Sequence, residues 1–229
     1  MATKTTNLSP SFDTQINSYT STTNYDTLTN GLIGRATYND EIARVLMKFD
    51  YTTLGAVNSI TSATLYMYLY NDGTTQTINL QAHRVLVDWT SSQATWLVRK
   101  TGINWNTSGC GGSDTDFYAT ALGSVAQAVG YTGWVALEIS ATEFLKMVKG
   151  TYPNYGISLR QDYEGVGEDK YYYFLGGTYP PYLRVVYTPL DSGEPVSVSP
   201  FFNFFKNFEN PWMEQGGLWQ PNKKGLVTI

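Results

Sequence analysis

The segment 60–70, ITSATLYMYLY, alternates apolar and polar side chains so strictly that it constrains the whole fold. Its apolar positions are Ala63, Leu65, Met67 and Leu69, and the positions between them are Thr64, Tyr66, Tyr68 and Tyr70. Because successive side chains of a β-strand point to opposite faces, the segment predicts a strand with one buried face. The following Asn-Asp-Gly, residues 71–73, predicts a hairpin turn, since Asn and Gly tolerate a positive φ. A strand with one apolar face favours a sheet whose inner side is covered by a second layer.

The same pattern recurs along the chain and indicates an all-β protein. Further strands are predicted at 43–50, 77–89, 134–139, 157–161, 171–175 and 182–188. One short helix is predicted after Ser140, which forms an S-x-x-E capping box with Glu143, and Gly150 closes it. The predicted apolar stripe of this helix is Phe144, Leu145 and Val148. Many short strands with one helix are typical of a jelly-roll-type antiparallel β-sandwich.

Charge and reactive side chains exclude several function classes. The chain has 15 Lys+Arg against 19 Asp+Glu, a net charge of −4, whereas nucleic-acid binding requires a basic surface. A single Cys and a single His provide neither a disulfide within the chain nor a thiolate–imidazole zinc site. We therefore predict no cofactor, no metal and no nucleic-acid partner. No segment approaches the ~20 apolar residues of a membrane span, and no secretory signal is visible, so we expect synthesis in the cytoplasm.

The composition changes near residue 188, which predicts three parts. Residues 1–188 form the sandwich, and residues 189–200, PLDSGEPVSVSP, are predicted to be a linker. Residues 201–229 form an extended C-terminal arm with seven large aromatic side chains: Phe201, Phe202, Phe204, Phe205, Phe208, Trp212 and Trp219. Since burying each ring is worth roughly 2–3 kcal/mol, the arm is expected to pack on the sandwich, on sister subunits or on another protein. We interpret it as a docking arm for a protein partner or sister subunits.

Several segments, in order along the chain, resemble one known family. They are TTNYD (22–26), ARVLMKFD (43–50), ITSATLYMYLY (60–70), HRVLVDWTSSQATW (83–96), WVALEISATEFLKMVKGTYPNYGISLR (134–160) and PPYLRVVY (180–187). Together they resemble the disaggregatase-related, DNRLRE-type carbohydrate-binding module over roughly residues 12–188. The resemblance implies a β-sandwich with no catalytic activity of its own and, in some members, sugar binding.

Two groups of aromatic residues are candidates for sugar binding. The first is the set Trp105, Tyr163, Tyr171 and Tyr172, which lies among Asn, Asp and Lys in predicted loops and strand ends. The second is the stripe Tyr66, Tyr68 and Tyr70, which faces away from the apolar side of its strand. Tyrosines of either group could instead lie at a protein interface, since aromatic residues are enriched there.

Residues for catalysis or metal binding are sparse, and we predict no catalytic residue. The one histidine, His83, lies mid-strand, where a packed residue is the commoner role. The acidic stretch 161–170 holds Asp162, Glu164, Glu168 and Asp169, which would have to flank a cleft to hydrolyse a glycoside. Asp114 and Asp116 could offer oxygen ligands to Ca²⁺, but their spacing is not that of an EF-hand loop.

The combined features lead to two expectations of function. A leaderless sandwich with low charge and a docking arm suggests a non-catalytic virion surface component, such as a phage head decoration, tail or fibre-type protein. The alternative is a free-standing polysaccharide-binding module of a bacterial surface assembly, located outside the cell or at the cell surface. A hydrolase that uses the carboxylates of 161–170 is a third option.

Overall fold

The computed structural model describes residues 2–36, 39–164 and 168–190, and these ranges contain thirteen β-strands and one α-helix. The strands are β1 (Lys4–Leu8), β2 (Pro10–Asn17), β3 (Asn30–Arg35), β4 (Ile42–Phe49), β5 (Val57–Asp72), β6 (Ile78–Arg84), β7 (Val98–Lys100), β8 (Ile103–Asn104), β9 (Gly123–Gln127), β10 (Gly133–Ile139), β11 (Ile157–Gln161), β12 (Glu168–Tyr173) and β13 (Tyr182–Pro189). The helix is α1 (Ala141–Val148), and a short 3₁₀ turn spans Thr52–Leu54.

The long strand β5 organises the first layer of the sandwich. It pairs antiparallel with β10, β13 and β12, and β13 pairs in turn with β1. The second layer is built around β4, which pairs with β2, β3 and β11, and it continues through β6 to β9. The β12–β3 ladder joins the two layers into one curled sheet. The prediction of an all-β antiparallel sandwich with one helix is therefore confirmed, while the predicted arm lies outside the described residues.

The core lies between the inner faces of the two layers. Leu65 and Met67 of β5 belong to one buried cluster with Val45 and Met47 of β4. The alternation in β5 therefore divides as the sequence predicts: the apolar row is buried, and the tyrosines point to the opposite side. The layer of β4 carries a second cluster on its outer face, where Leu46 packs with side chains of residues 85–120. We call this segment, which connects β6 to β9 and contains β7 and β8, the 85–120 excursion.

Helix α1 begins at the predicted cap and closes one end of the core. The Ser140 hydroxyl accepts a hydrogen bond from the Glu143 N–H at 3.4 Å. Phe144 and Met147 are the buried residues of the helix, and Phe144 meets Tyr51 edge to face at 5.2 Å. The predicted stripe differs in part, because Leu145 and Val148 are only partly buried against the core.

The predicted hairpin turn at 71–73 does not form there, because Asn71 and Asp72 continue strand β5. A buried ion pair fixes this end of β5. Lys170 Nζ lies 2.9 Å from Asp72 Oδ1, and both side chains are almost completely buried. The ammonium also donates to the Thr74 hydroxyl and to the Ala128 carbonyl, so its hydrogen-bonding capacity is used. Burial raises the pKa of Asp72, but hydrogen bonds from Thr74, Lys170 and Gly130 outweigh this and hold that pKa below its usual value.

We predict that Lys170→Met destabilises the fold by about 3–5 kcal/mol, because it leaves the Asp72 carboxylate buried without its cation. The matched control is Lys146→Met, which breaks the exposed Lys146–Glu143 pair at 2.7 Å and should cost less than about 1 kcal/mol. Urea unfolding of both variants measures the difference. Equal losses of free energy of unfolding would contradict a special role for the buried pair.

Candidate functional site

Eight aromatic side chains lie together on the outer side of the β5 layer. They are Tyr66, Tyr68 and Tyr70 of β5, Trp134 of β10, Tyr171 and Tyr173 of β12, Tyr179 of the β12–β13 loop and Tyr182 of β13. We call this set the aromatic face. Among the described residues, no segment comparable to the 85–120 excursion covers it.

Strand register brings these rings together from distant parts of the chain. Trp134 lies directly opposite Tyr68 in the β10–β5 ladder, and Tyr182 lies opposite Tyr66 in the β13–β5 ladder. Each ring occupies the outward position of its strand, because Val135 and Leu183 next to them point into the core. Two-residue periodicity on β5, β10, β12 and β13 therefore places seven of the eight rings, and the eighth comes from the β12–β13 loop.

The rings contact one another in both stacked and edge-to-face arrangements. Tyr68 and Tyr179 stack with centroids 4.3 Å apart, and Tyr66 and Tyr182 stack at 4.8 Å. Trp134 stands nearly perpendicular to Tyr68, with centroids 5.4 Å apart. These geometries are the favourable ones for aromatic pairs, so the rings support one another in fixed orientations.

The aromatic face is accessible and predominantly uncharged. Trp134 and Tyr179 are 40% and 43% exposed, and the other rings are half-buried. Partial burial raises the pKa of Tyr70 and of Tyr171, and the neighbouring Tyr173 and Asp169, respectively, add to the shifts. Both hydroxyls therefore remain protonated at neutral pH. Tyr70 uses its hydroxyl to donate to Asn30 Oδ1 at 3.0 Å.

Tyr179 is held in place by a loop with buried anchors. Phe174 is fully buried, and its N–H donates to the Thr29 carbonyl at 2.9 Å. The next residue, Leu175, donates its N–H to the carboxylate of Asp13 at 2.8 Å, and Asp13 is itself buried on β2. The loop that carries the most exposed tyrosine of the face is thus tied to the opposite layer of the sandwich.

The four predicted sugar-binding residues do not form one surface. Trp105 is only 4% exposed, and its indole N–H donates to the Thr95 carbonyl at 2.9 Å, so it packs in the second cluster. Tyr172 is fully buried in the main core. Neither ring is available to a ligand, because both point away from solvent. Tyr171 joins the aromatic face, whereas Tyr163 is exposed beside a shallow pocket with Asp162 and Ile78.

The alternative stripe Tyr66, Tyr68 and Tyr70 forms the centre of the aromatic face, and four further members were missed. These are Trp134, Tyr173, Tyr179 and Tyr182. The signal for Trp134 and Tyr182 was present, since each precedes an inward apolar residue in a predicted strand. Tyr179 gave no such signal, because its position depends on the anchored loop.

Four of the carboxylates considered for catalysis or metal binding are engaged in structural contacts. Glu164 accepts two hydrogen bonds of 2.8 Å from Arg44, and Asp162 accepts from the Asn79 backbone and side chain. Asp116 is buried and accepts from backbone N–H groups of its own loop, as Asp114 does. No group of three or more His, Cys, Asp and Glu side chains that could hold a metal ion occurs in the described ranges.

His83 and Cys110 are packed residues. His83 is buried and contacts the Tyr118 carbonyl through Nδ1 at 2.9 Å, and burial lowers its pKa. Cys110 is fully buried, and burial raises the pKa of its thiol to about 12, so the thiolate nucleophile does not form at neutral pH. No helix in the described part of the chain is long and apolar enough to cross a membrane.

The seven aromatic residues predicted to dock a partner all lie outside the described residues. They are Phe201, Phe202, Phe204, Phe205, Phe208, Trp212 and Trp219. Their docking role therefore stays a prediction from the sequence.

Comparison with known proteins finds a family to which part of the chain is similar. The sequence model of carbohydrate-binding module family 96 matches residues 4–108, a range that runs from β1 through β8 and includes Tyr66, Tyr68 and Tyr70. Over these residues the sandwich is thus similar to a carbohydrate-binding module. The narrower DNRLRE and disaggregatase-related name is not supported by this match. No curated protein matches the chain.

Burial of Asp13 makes a pH-dependent contribution to stability. Burial raises its pKa to about 6, and the hydrogen bond from the Leu175 N–H opposes part of that rise. Because the folded-state pKa exceeds the unfolded value of 3.8, this carboxyl stabilises the fold fully below about pH 4, and the contribution is lost as pH rises through about 6.

We therefore predict that Asp13→Asn removes a pH-dependent term of about 2–3 kcal/mol from the free energy of unfolding. The free energy of unfolding of the parent chain should fall relative to that of the variant as pH rises from about 4 to 7. Urea unfolding across this range measures it. A constant difference at every pH would contradict the assignment.

Proposed function

We propose that this domain binds a polysaccharide on the aromatic face. The observation that carries the proposal is the contiguous, half-exposed set of eight rings on the outer side of the β5 layer in a carbohydrate-binding-module-like fold. Soluble proteins rarely expose large contiguous apolar patches, so a cluster of this size marks a surface interaction site. Tyr and Trp suit this role because each combines an apolar ring with a polar tip.

The rings and hydroxyls match the two chemical faces of a sugar. The C–H face of a pyranose packs against an aromatic ring, and sugar hydroxyls exchange hydrogen bonds with phenolic groups. The rings are held by stacking and by the anchored loop, so little conformational entropy is lost when a ligand binds. Several weak stacking contacts along one sheet then combine into a useful affinity.

The charge of the face favours an uncharged polysaccharide. Arg184 reaches over the face, with its guanidinium carbon 5.5 Å from the centroid of Tyr66, and the acidic Glu138 lies across β5 from it. An acidic polymer would require several basic groups, and the net charge of −4 repels polyanions at long range. We therefore expect neutral glycans to bind more strongly than polyuronates.

A polysaccharide ligand also implies that the domain acts where such chains are exposed, at a cell surface or on a virion surface. The binding role is compatible with either location. The virion role was predicted from a leaderless, low-charge sandwich together with the aromatic arm, and the family match offers it no support. We keep it as a second proposal, because a protein partner or sister subunits are among the surfaces that the seven large aromatic residues within 201–219 are expected to contact.

We predict that Tyr68→Ala weakens glycan binding by about tenfold to a hundredfold, because Tyr68 contacts Trp134, Tyr173 and Tyr179 at the centre of the face. The matched control is Tyr163→Ala, which removes a 56% exposed tyrosine outside the face and should leave affinity unchanged. Affinity gel electrophoresis with neutral and acidic polysaccharides measures both. If Tyr163→Ala lost binding and Tyr68→Ala did not, the glycan site would lie at the 161–170 loop and not on the aromatic face.

We also predict separate roles for the sandwich and the arm. A chain that ends at Leu190 should keep its fold and its glycan affinity, since Leu190 closes the described fold with an N–H bond to the Ala56 carbonyl. It should lose any self-association that the full chain shows. Sedimentation velocity and the same gels test this. If the full chain and the shortened chain have the same oligomeric state, the case for a docking arm between sister subunits fails.

A further inference from the structure

The outer surface of β5 continues beyond the aromatic face into a polar groove. Two residues beyond Tyr66 the outward position is Thr64, and two residues further it is Ser62. A groove of about 420 Å³ opens here, and Ser62, Thr64, Glu138 and Ser140 contribute to its walls. The groove begins next to Tyr66, the last ring of the aromatic face on β5, so the groove and the face share this strand.

The groove offers hydrogen-bonding groups of both kinds. Glu138 of β10 and Arg184 of β13 lie opposite Thr64 from its two sides, which makes one cross-strand row of an acceptor, a hydroxyl and a donor. Glu138 is exposed, and its carboxylate forms no ion pair with another described residue. Arg184 is exposed and reaches over the ring of Tyr66. This row therefore connects the polar groove to the last ring of the face.

A small residue keeps the connection open. Ala136 lies opposite Tyr66 in the β10–β5 ladder, between the outward side chains of Trp134 and Glu138. Because its side chain is a single methyl group, nothing bulky on β10 separates the rings from the polar row. A flat polymer can pass from one to the other without leaving the sheet.

We propose that a single polysaccharide chain lies along β5, stacking its sugar rings on the aromatic face and hydrogen-bonding to the row of Glu138, Thr64 and Arg184. This inference rests on the proposed glycan-binding function. The span from Tyr70 to Ser62 covers roughly 26 Å at the usual rise of a strand, so the site suits an internal stretch of several sugar units. The ligand class is a long neutral chain, and a terminal sugar or a disaccharide fills only part of the site.

Calorimetric titration with gluco-, xylo- and manno-oligosaccharides, from the disaccharide to the octasaccharide, tests the proposal on the full chain. We expect the affinity for at least one series to rise with length, about tenfold or more from shortest to longest. Two variants should remove the gain at long length while leaving short oligosaccharides unaffected. Glu138→Ala removes the acceptor, and Ala136→Leu blocks the passage. Glu143→Ala, which removes an acidic helix residue that does not line the groove, is the matched control.

The outcomes separate this inference from the proposed function. If Tyr68→Ala weakens binding at every length while Glu138→Ala and Ala136→Leu match the parent at every length, the aromatic face binds glycan but the extended path is wrong. An affinity that stays flat from disaccharide to octasaccharide overturns the extended path in the same way. If no series binds the parent chain, both proposals fall.

Discussion

The alternation within β5 is the constraint on which the rest of the structure depends. Its inward row anchors the core, and its outward row supplies the centre of the aromatic face. Because the period of a strand is two, a slip of one residue in register would bury the tyrosines and expose Leu65 and Met67. The pairing of β5 with β10, β12 and β13 fixes that register from both sides. Core stability and the proposed binding surface are therefore specified by the same hydrophobic pattern.

The two layers treat their outer faces differently, and this difference locates the site. On the β4 layer the outward Leu46 is covered by the 85–120 excursion, which buries Trp105 and Cys110 as a second core. On the β5 layer the outward residues are aromatic, and they contact one another at the surface. Aromatic residues thus serve packing on one side and remain accessible on the other. Composition alone does not distinguish these uses, because the same residue types do both.

Features that depend on local periodicity could be predicted from the sequence, whereas features that depend on long-range pairing could not. The alternation in 60–70 predicted both the strand and the stripe Tyr66, Tyr68 and Tyr70, since each depends only on local periodicity. The complete face depends on which strands lie beside β5, and that pairing is long-range. Trp105 and Tyr172 were chosen from polar surroundings in the sequence, but burial is a property of the tertiary fold. The predicted turn at 71–73 differed for the same reason: Asn71 and Asp72 continue β5 because Tyr171 and Lys170 pair with them.

Two buried charged groups anchor segments that carry rings of the aromatic face. Lys170 holds Asp72 at the end of β5, beneath the rows that carry Tyr70 and Tyr171, and Asp13 holds the loop that carries Tyr179. Burying such groups costs free energy, so apolar residues at these positions would serve a purely structural sandwich as well or better. Their hydrogen bonds instead fix the directions of backbone segments that the core does not reach. A weak, multi-ring contact with a sugar chain requires that its rings be in place before the ligand arrives, since each ring immobilised on binding would subtract from a small gain. The polar anchors therefore fit a role as supports of the proposed binding surface.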